Sequence, residues 1–128
     1  MGQITQITVT AESKPGVLAK VSDVLAKAGI NIVGVCAADA SGRGKVRLVV
    51  SDPARAKAAL TAARIRCGEE PALQLSLDDR PGALAAVAAR LAAARINIKC
   101  TYATVAGGGK AQVVMVVPNP DRAERALG

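Results

Sequence analysis

A five-residue stretch that occurs twice decides the fold of this chain. Lys-Pro-Gly-Val-Leu at residues 14–18 returns as Arg-Pro-Gly-Ala-Leu at residues 80–84. At the same offset of 66 residues, Ala-Gly-Ile-Asn-Ile at residues 28–32 matches Ala-Arg-Ile-Asn-Ile at residues 94–98. A repeat at a fixed offset indicates two copies of one structural unit. These copies cover nearly the whole chain.

The pattern within each copy predicts strand, helix, strand, strand and helix. Apolar residues alternate with threonines from Ile7 to Ala11, which is typical of a half-buried strand. Pro-Gly then opens a helix, with the proline placed in its first turn. In that helix the apolar residues Leu18, Val21 and Leu25 recur at helical spacing and form one buried stripe.

The remaining elements complete a β-α-β-β-α-β order, which is the ferredoxin-like motif. We predict strands at residues 30–37, 45–50, 96–103 and 112–117, and second helices that begin at residues 53 and 120, the first ending near residue 64. The fold class is therefore α+β, with two antiparallel four-stranded sheets that each carry their helices on one face. We place the domains at residues 1–70 and 71–128, with a short fourth strand at 65–67 and a turn at 68–71 between them.

The second copy lacks its last strand, since a single residue follows Leu127. The edge left open is either exposed or completed by another strand, which a second chain could supply. On this ground we predict a homo-oligomer, most simply a dimer.

Composition excludes several classes of function. The 128 residues contain no His, no Trp and no Phe, and one Tyr. Acid–base catalysis by histidine, histidine metal sites and an aromatic platform for bases are therefore absent. We expect no enzyme activity, no cofactor and no metal. The net charge of +7 leaves nucleic acid as an alternative partner, although its binding would have to proceed without stacking aromatics.

Cellular context is indicated by the cysteines and by hydropathy. The three cysteines are Cys36, Cys67 and Cys100, an odd number without metal-binding spacing. We expect no signal peptide, and the sequence has no apolar run long enough for a membrane helix. We therefore expect a cytoplasmic protein with free thiols and no membrane partner.

The duplicated motifs resemble the ACT domain. A strand, then Lys/Arg-Pro-Gly-x-Leu, a helix and Ile-Asn-Ile occur in both copies, so the resemblance covers about residues 4–127. The resemblance implies a ferredoxin-like fold and binding of amino acids that regulate metabolic enzymes. The chain looks like the small stand-alone proteins made of two ACT domains, and it is similar to the regulatory end of aspartate kinase.

The resemblance also implies which residues bind a ligand. In the family, ligands commonly sit between paired domains, where they contact the loop before the first helix and the start of the second strand. Carried over, these positions are Ser13, Lys14, Pro15, Gly16, Asn31, Asp79, Arg80, Pro81, Gly82 and Asn97. Some members have a His two residues before the polar loop position, where this chain has Ala11 and Leu77, so a ligand set that uses that His does not apply.

Physical chemistry supports the same positions. A helix start offers unpaired N–H groups and a partial positive charge that suit a carboxylate. Glycine lets a ligand approach the backbone, and an asparagine offers both a donor and an acceptor. We expect a non-enzymatic module that senses an amino acid in amino-acid metabolism. The alternatives are a ferredoxin-like nucleic-acid-binding module and a regulatory subunit of an amino-acid biosynthetic enzyme, which would be its protein partner.

Overall fold

The order of helices and strands follows the sequence prediction. The computed structural model describes residues 1–105 and 107–128. Over these residues there are six strands and four helices: β1 Gly2–Glu12, α1 Val17–Lys27, β2 Ile32–Ala40, β3 Arg43–Val50, α2 Pro53–Ala62, β4 Cys67–Asp78, α3 Ala83–Ala93, β5 Cys100–Val105, β6 Lys110–Val116 and α4 Pro120–Leu127. The predicted α+β class and the repeated ferredoxin-like order are confirmed.

The chain divides into two compact units. The first unit is Thr5–Glu70, and the second unit is Pro71–Gly128 together with Met1–Ile4. Strands of the first unit follow the order β2-β3-β1-β4, and those of the second follow β5-β6-β4-β1. The pairs β1–β3, β2–β3, β4–β6 and β5–β6 are all antiparallel. The units divide between residues 70 and 71, and the first four residues group with the second unit.

The core of the first unit lies between one face of its sheet and the helices α1 and α2. Its fully buried side chains include Ile7 on β1, Leu25 on α1, Leu48 on β3 and Leu60 on α2. Side chains point to the same face at every second residue of a strand and at every third or fourth residue of a helix, so these residues meet in one layer. Both helices therefore cover the same face of the sheet.

The core of the second unit repeats this arrangement. Leu73 and Leu75 on β4, Leu91 on α3 and Met115 on β6 are nearly or fully buried in it. Leu73 and Leu91 occupy the positions in the second copy that Ile7 and Leu25 occupy in the first, so the predicted apolar faces are confirmed at these positions. The prediction is wrong for Leu18, which is 43% exposed although it shares the helical spacing of Val21 and Leu25.

The start of the chain supplies the strand that the second repeat lacks. Within the first unit, Gln6 Nε2 donates to Glu70 Oε1 over 3.0 Å, and a Cβ on Gly68 would lie 3.2 Å from the Thr8 hydroxyl oxygen. These contacts place β1 and β4 antiparallel with residue 6 opposite residue 70. The same register brings Ile4 opposite Ala72, inside the second unit. No strand follows α4 in the described residues, and the predicted open edge of β4 is covered by residues 2–4 of the same chain. That edge therefore gives no reason to expect a homo-oligomer.

The turn predicted between the two copies is wrong. The sequence suggests a strand at residues 65–67 and a turn at 68–71, whereas β4 runs without interruption from Cys67 to Asp78. Gly68 and Pro71 both favour the turn reading. The ladder to β6 begins only at Leu73, so Pro71 removes no hydrogen bond from it.

The helices after Pro-Gly begin two residues after the proline, not with the proline in their first turn as predicted. Gly16 and Gly82 are the N-caps, with φ of 94° and 90° and ψ of −8° and −13°, and the helices start at Val17 and Ala83. Proline followed by a glycine in this conformation forms a type II turn, which requires φ above zero at its third residue. The prolines therefore lie in the turn before the helix, not in its first turn.

Other boundaries also differ from the prediction. Helix α2 ends at Ala62, because Arg64 adopts a left-handed conformation (φ 61°) that stops the helix. Strand β2 begins at Ile32 rather than residue 30 and extends to Ala40. Strand β5 begins at Cys100 rather than residue 96, since the N–H of Ile96 still bonds to the carbonyl of Leu91 at the end of α3.

Candidate ligand-binding site

The loop between β1 and α1 is held against the β2–β3 hairpin by two hydrogen bonds. The backbone N–H of Ser13 donates to the Gly42 carbonyl oxygen over 3.0 Å. The Ser13 hydroxyl donates to Oδ2 of Asp39 over 2.7 Å, a length typical of a bond to a carboxylate. These two bonds fix the loop beside the carboxylate of Asp39.

A surface cavity of about 220 Å³ opens at this loop. Its walls include Ser13, Lys14, Val17, Leu18, Ala37 and Asp39. The cavity combines a carboxylate, an ammonium group, the first turn of α1 and short apolar side chains. Its size and mixed polarity suit a small zwitterion better than a large apolar ligand.

The ammonium group of Lys14 is only loosely held. Its Nζ lies 3.9 Å from a carboxylate oxygen of Glu12, and the two side chains are 65% and 78% exposed. Such an exposed pair contributes little free energy. Lys14 can therefore turn toward an anionic group in the cavity.

The matching loop of the second unit is tied to its hairpin in the same way by its backbone. The N–H of Asp79 donates to the Gly109 carbonyl oxygen over 2.8 Å. The side chains are arranged differently, because Asp78 accepts from Lys110 Nζ at 2.6 Å and from Arg80 Nε at 3.3 Å. The hydrogen bond from Lys110, followed by that from Arg80, lowers the pKa of Asp78. Arg80 thus already has a carboxylate partner.

The glycines of both loops are required by the backbone and leave space beside it. A Cβ built on Gly16 or Gly82 would meet no atom within 4 Å. Their positive φ, not crowding, therefore selects glycine. The open space at each position lets a ligand approach the helix start.

The two asparagines lie at the other end of the sheet in their units. The N–H of Asn31 donates to the Ser51 hydroxyl, and its carbonyl oxygen accepts from the Ser51 N–H, both over 3.0 Å. Ser51 directly follows β3, whereas Ser13 lies opposite Gly42 just before β3 begins, about 30 Å away along the strand. Asn97 lies between Ile96, just past the end of α3, and the start of β5. Within one unit, no small ligand touches both the loop and the asparagine.

Asp39 is a site residue that the sequence reasoning missed. It lies at the end of β2 and pairs with Gly44, which also pairs with Ala11 near the end of β1. The predicted topology could have identified Asp39, because it brings the β2–β3 hairpin and the end of β1 together at one end of the sheet. At the equivalent position of the second repeat stands Val105, which is 61% exposed.

The described part of the chain offers neither a metal cluster nor a membrane-length helix. No three His, Cys, Asp or Glu side chains among these residues group closely enough to hold a metal ion. None of the described helices combines the length and the apolar character that crossing a membrane requires.

Comparison with known proteins identifies the family. The sequence model of a family described as an ACT domain pair matches residues 2–127. A crystal structure of a protein from Bacteroides thetaiotaomicron is 32% identical, with a TM-score of 0.90, and the match covers 98% of this chain and 86% of that one. The fold also resembles the ligand-free regulatory subunit of aspartate kinase from Thermus thermophilus, which is 20% identical with a TM-score of 0.68, over 99% and 95% of the two chains. The regulatory subunit of aspartate kinase from Thermus flavus gives 20% identity and a TM-score of 0.66, with the same coverage. A search of curated protein sequences gives no significant match. Since the family match spans nearly the whole chain and agrees with the duplicated fold, this protein belongs to the family of ACT domain pairs.

Proposed function

We propose that this protein is a non-enzymatic regulatory module that binds a free amino acid at the Ser13–Gly16 loop of its first unit. The observation that carries this proposal is the hydrogen bond from Ser13 to Asp39, which holds a carboxylate at the cavity. Lys14 and the first turn of α1 also line the cavity, as does Glu12. A zwitterion needs both a negative and a positive group as partners.

Each end of the ligand has a partner of the right charge. The α-carboxylate accepts hydrogen bonds from first-turn N–H groups of α1, aided by the helix dipole and by Lys14. Ser13 contacts Oδ2 of Asp39. The α-ammonium group of the ligand donates to the other carboxylate oxygen of Asp39, Oδ1. The short side chains of Ala37 and Val17 leave room for a compact side chain.

The second loop is proposed as a weaker site. Asp79, Arg80, Pro81 and Gly82 repeat the backbone, but Asp78 already holds Arg80 and Lys110. A ligand carboxylate would have to compete with Asp78 for these cations. We therefore expect tighter binding in the first unit.

We further propose that a second copy of this chain supplies the asparagine contact, which makes the working form a homodimer. Asn31 and Asn97 are exposed in their own units and too distant from their own loops to share a ligand. The outer strand β2 carries two exposed apolar side chains, Val33 at 56% and Val35 at 46%. An outer strand with apolar side chains is a surface that proteins usually cover. Sedimentation at micromolar concentration tests this part, and a monomer contradicts it.

The regulated partner is proposed to be an enzyme of amino-acid metabolism. ACT domains regulate rather than catalyse, and the fold resembles subunits whose names give regulation of aspartate kinase as their role. With no His in the chain, a general base of the usual kind is also missing. Cytoplasmic location stays a prediction from the sequence.

A thermal-shift screen against the twenty amino acids tests the proposal. A ligand at a hundredfold excess over its Kd stabilises the folded state by about 2.7 kcal/mol, which raises Tm by several degrees. The variant Asp39→Asn should show a clearly smaller shift, and Asp79→Asn is the control in the second loop. No shift with any amino acid contradicts the proposal, as does a shift that Asp39→Asn leaves unchanged.

A further inference from the structure

A second cavity of the first unit is surrounded by positive charge. It has a volume of about 230 Å³ and lies between the end of β1, the first turns of α1 and the segment that follows α2. Four of its lining residues are cationic: Lys14, Lys20, Arg64 and Arg66. The described residues that line it include no carboxylate.

The cations of this cavity are exposed and mostly unneutralised. All four side chains belong to exposed residues. Within the described residues, Lys14 has its loose contact with Glu12, and no ion pair is formed by Lys20, Arg64 or Arg66. Like charges at one cavity repel each other, and an anion of two or more charges relieves that repulsion.

Local geometry directs these cations to one place. Val17, Lys20 and Val21 all line the cavity from α1. Lys20 and Val21 are three and four residues after Val17, and residues at that spacing share a helix face. Arg64 and Arg66 flank Ile65, whose N–H bonds to the Leu60 carbonyl oxygen as the chain leaves α2. The two arginines therefore enter the cavity from a second direction.

Arg64 adopts a backbone conformation that disfavours an arginine. Its φ of 61° is left-handed, and its N–H closes the end of α2 by bonding to the Thr61 carbonyl oxygen over 3.0 Å. Gly29 ends α1 at the same type of position, with φ 73°. Glycine is the favoured residue there, so an arginine is retained at a cost in backbone energy. Arg95 ends α3 in the same way, with φ 59°, and supplies a control.

We propose that this cavity binds a small phosphate-bearing anion, at a site separate from the amino-acid cavity. Four cations and the positive end of α1 surround a space large enough for a phosphate group and a short organic part. The second unit has no equivalent among its described residues, because Ala86 stands at the position of Lys20, and Arg80 is held by Asp78. Lys14 and Val17 line both cavities of the first unit, so the two ligands would be neighbours.

The test is a calorimetric titration of the full chain with pyrophosphate, inorganic phosphate and glycerol 3-phosphate at low ionic strength. We expect Arg64→Gly to weaken binding at least tenfold while Tm without ligand is unchanged or higher, because glycine suits the left-handed position. Arg95→Gly makes the same backbone and charge change in the second unit and should leave affinity unchanged. Arg66→Gln should also weaken binding, since it removes a cation without altering a special backbone position.

The ligands separate the two sources of phosphate. Equal binding of inorganic phosphate and glycerol 3-phosphate supports a site for the phosphate group itself, and preference for the ester supports a phosphorylated metabolite. The proposal is overturned if none of the three anions binds, or if Arg64→Gly and Arg95→Gly lose affinity equally. A single-stranded oligonucleotide is titrated as the comparison ligand, and binding of the oligonucleotide alone, with the steep salt dependence of phosphate-backbone contacts, also overturns the proposal.

Discussion

The loops before α1 and α3 have the same backbone and different side-chain pairings. Each has a type II turn whose glycine has φ of 94° or 90°, and each is tied to its hairpin by a backbone hydrogen bond. In the first unit Ser13 donates to Asp39, and Lys14 is held loosely. In the second, Asp78 binds both Arg80 and Lys110. The repeat thus keeps the turn, while the position of one carboxylate decides which loop can accept a ligand.

The same contrast holds for how each unit completes its sheet. The first unit uses residues 67–70, which follow its second helix directly. The second unit uses Met1–Ile4, which accompany strand β4. In the sequence, the whole first repeat separates these residues from β4. One unit therefore closes with a local segment and the other with a distant one.

The largest expected effect comes from truncating the matched core leucines. Leu25→Ala and Leu91→Ala each remove a side chain with 0% exposure and should each lower the free energy of unfolding by about 3 kcal/mol. Amide hydrogen exchange should become faster in the unit that carries the substitution, and less so in the other unit. Leu18→Ala, at a residue 43% exposed, is the control with a small effect. Equal acceleration in both units for each variant would show that they do not open separately.

A smaller effect is expected for the carboxylate that distinguishes the loops. Asp39→Asn keeps the size of the side chain and removes its charge, so affinity for the amino acid should fall about tenfold, equivalent to ~1.4 kcal/mol. Calorimetry measures this change. Asp78→Asn, which releases Arg80 in the second unit, should not weaken binding to the first. A loss in Asp78→Asn equal to that in Asp39→Asn would contradict the assignment of the site to the first loop.

Replacing the turn glycines should cost the two units the same amount. Gly16→Ala and Gly82→Ala place a Cβ at positive φ without a clash, so each should lower the free energy of unfolding by about 1 kcal/mol. Denaturant unfolding provides the value. Gly2→Ala, in open space on β1 with no positive φ, is the control and should be neutral or slightly stabilising. Unequal costs at residues 16 and 82 would show that the turns differ in strain.

The smallest effect concerns acid stability, which should differ between the units. Burial alone raises the pKa of Glu70, but the hydrogen bond and charge of Arg47, with Lys45 and Gln6, lower it below the ordinary value of 4.5. The unfolded chain then binds the proton more tightly than the folded one. The contribution of Glu70 is therefore present above about pH 4.5 and is lost as pH falls through the lowered pKa.

The variant Glu70→Gln checks this expectation. Its unfolding free energy should fall less steeply than that of the parent protein below pH 4.5, by up to about 1 kcal/mol. Asp78→Asn is the comparison in the second unit, where the carboxylate is exposed and solvent screens its pairs, so the acid profile should barely change. A parallel profile for Glu70→Gln and the parent would contradict the role given to Glu70.

The sequence was sufficient for the features that depend on local pattern. The alternation of Ile7 and Val9 and the helical spacing of Val21 and Leu25 reflect burial directly, so the element order and both apolar faces could be predicted. The duplicated Pro-Gly also located the two loops, because only a special backbone conformation selects that pair twice.

Features that depend on distant pairing could not be predicted in the same way. Gly68 and Pro71 have the local character of a turn, and only their place beside β1 keeps them in a strand. Likewise, nothing near residues 1–4 indicates that they accompany β4. Asp39 was missed because its role depends on Ser13, which is distant in sequence, through a contact that the topology creates.

The most direct test is an NMR titration of the 15N-labelled protein with the amino acid that gives the largest thermal shift. We expect amide shifts concentrated at residues 13–18 and 37–44 of the first unit, with smaller or later changes at residues 79–84. In Asp39→Asn the changes in the first set should need about tenfold more ligand to saturate. Equal perturbation of both loops, or perturbation of neither while Tm still rises, would contradict the assignment of the site to the first unit.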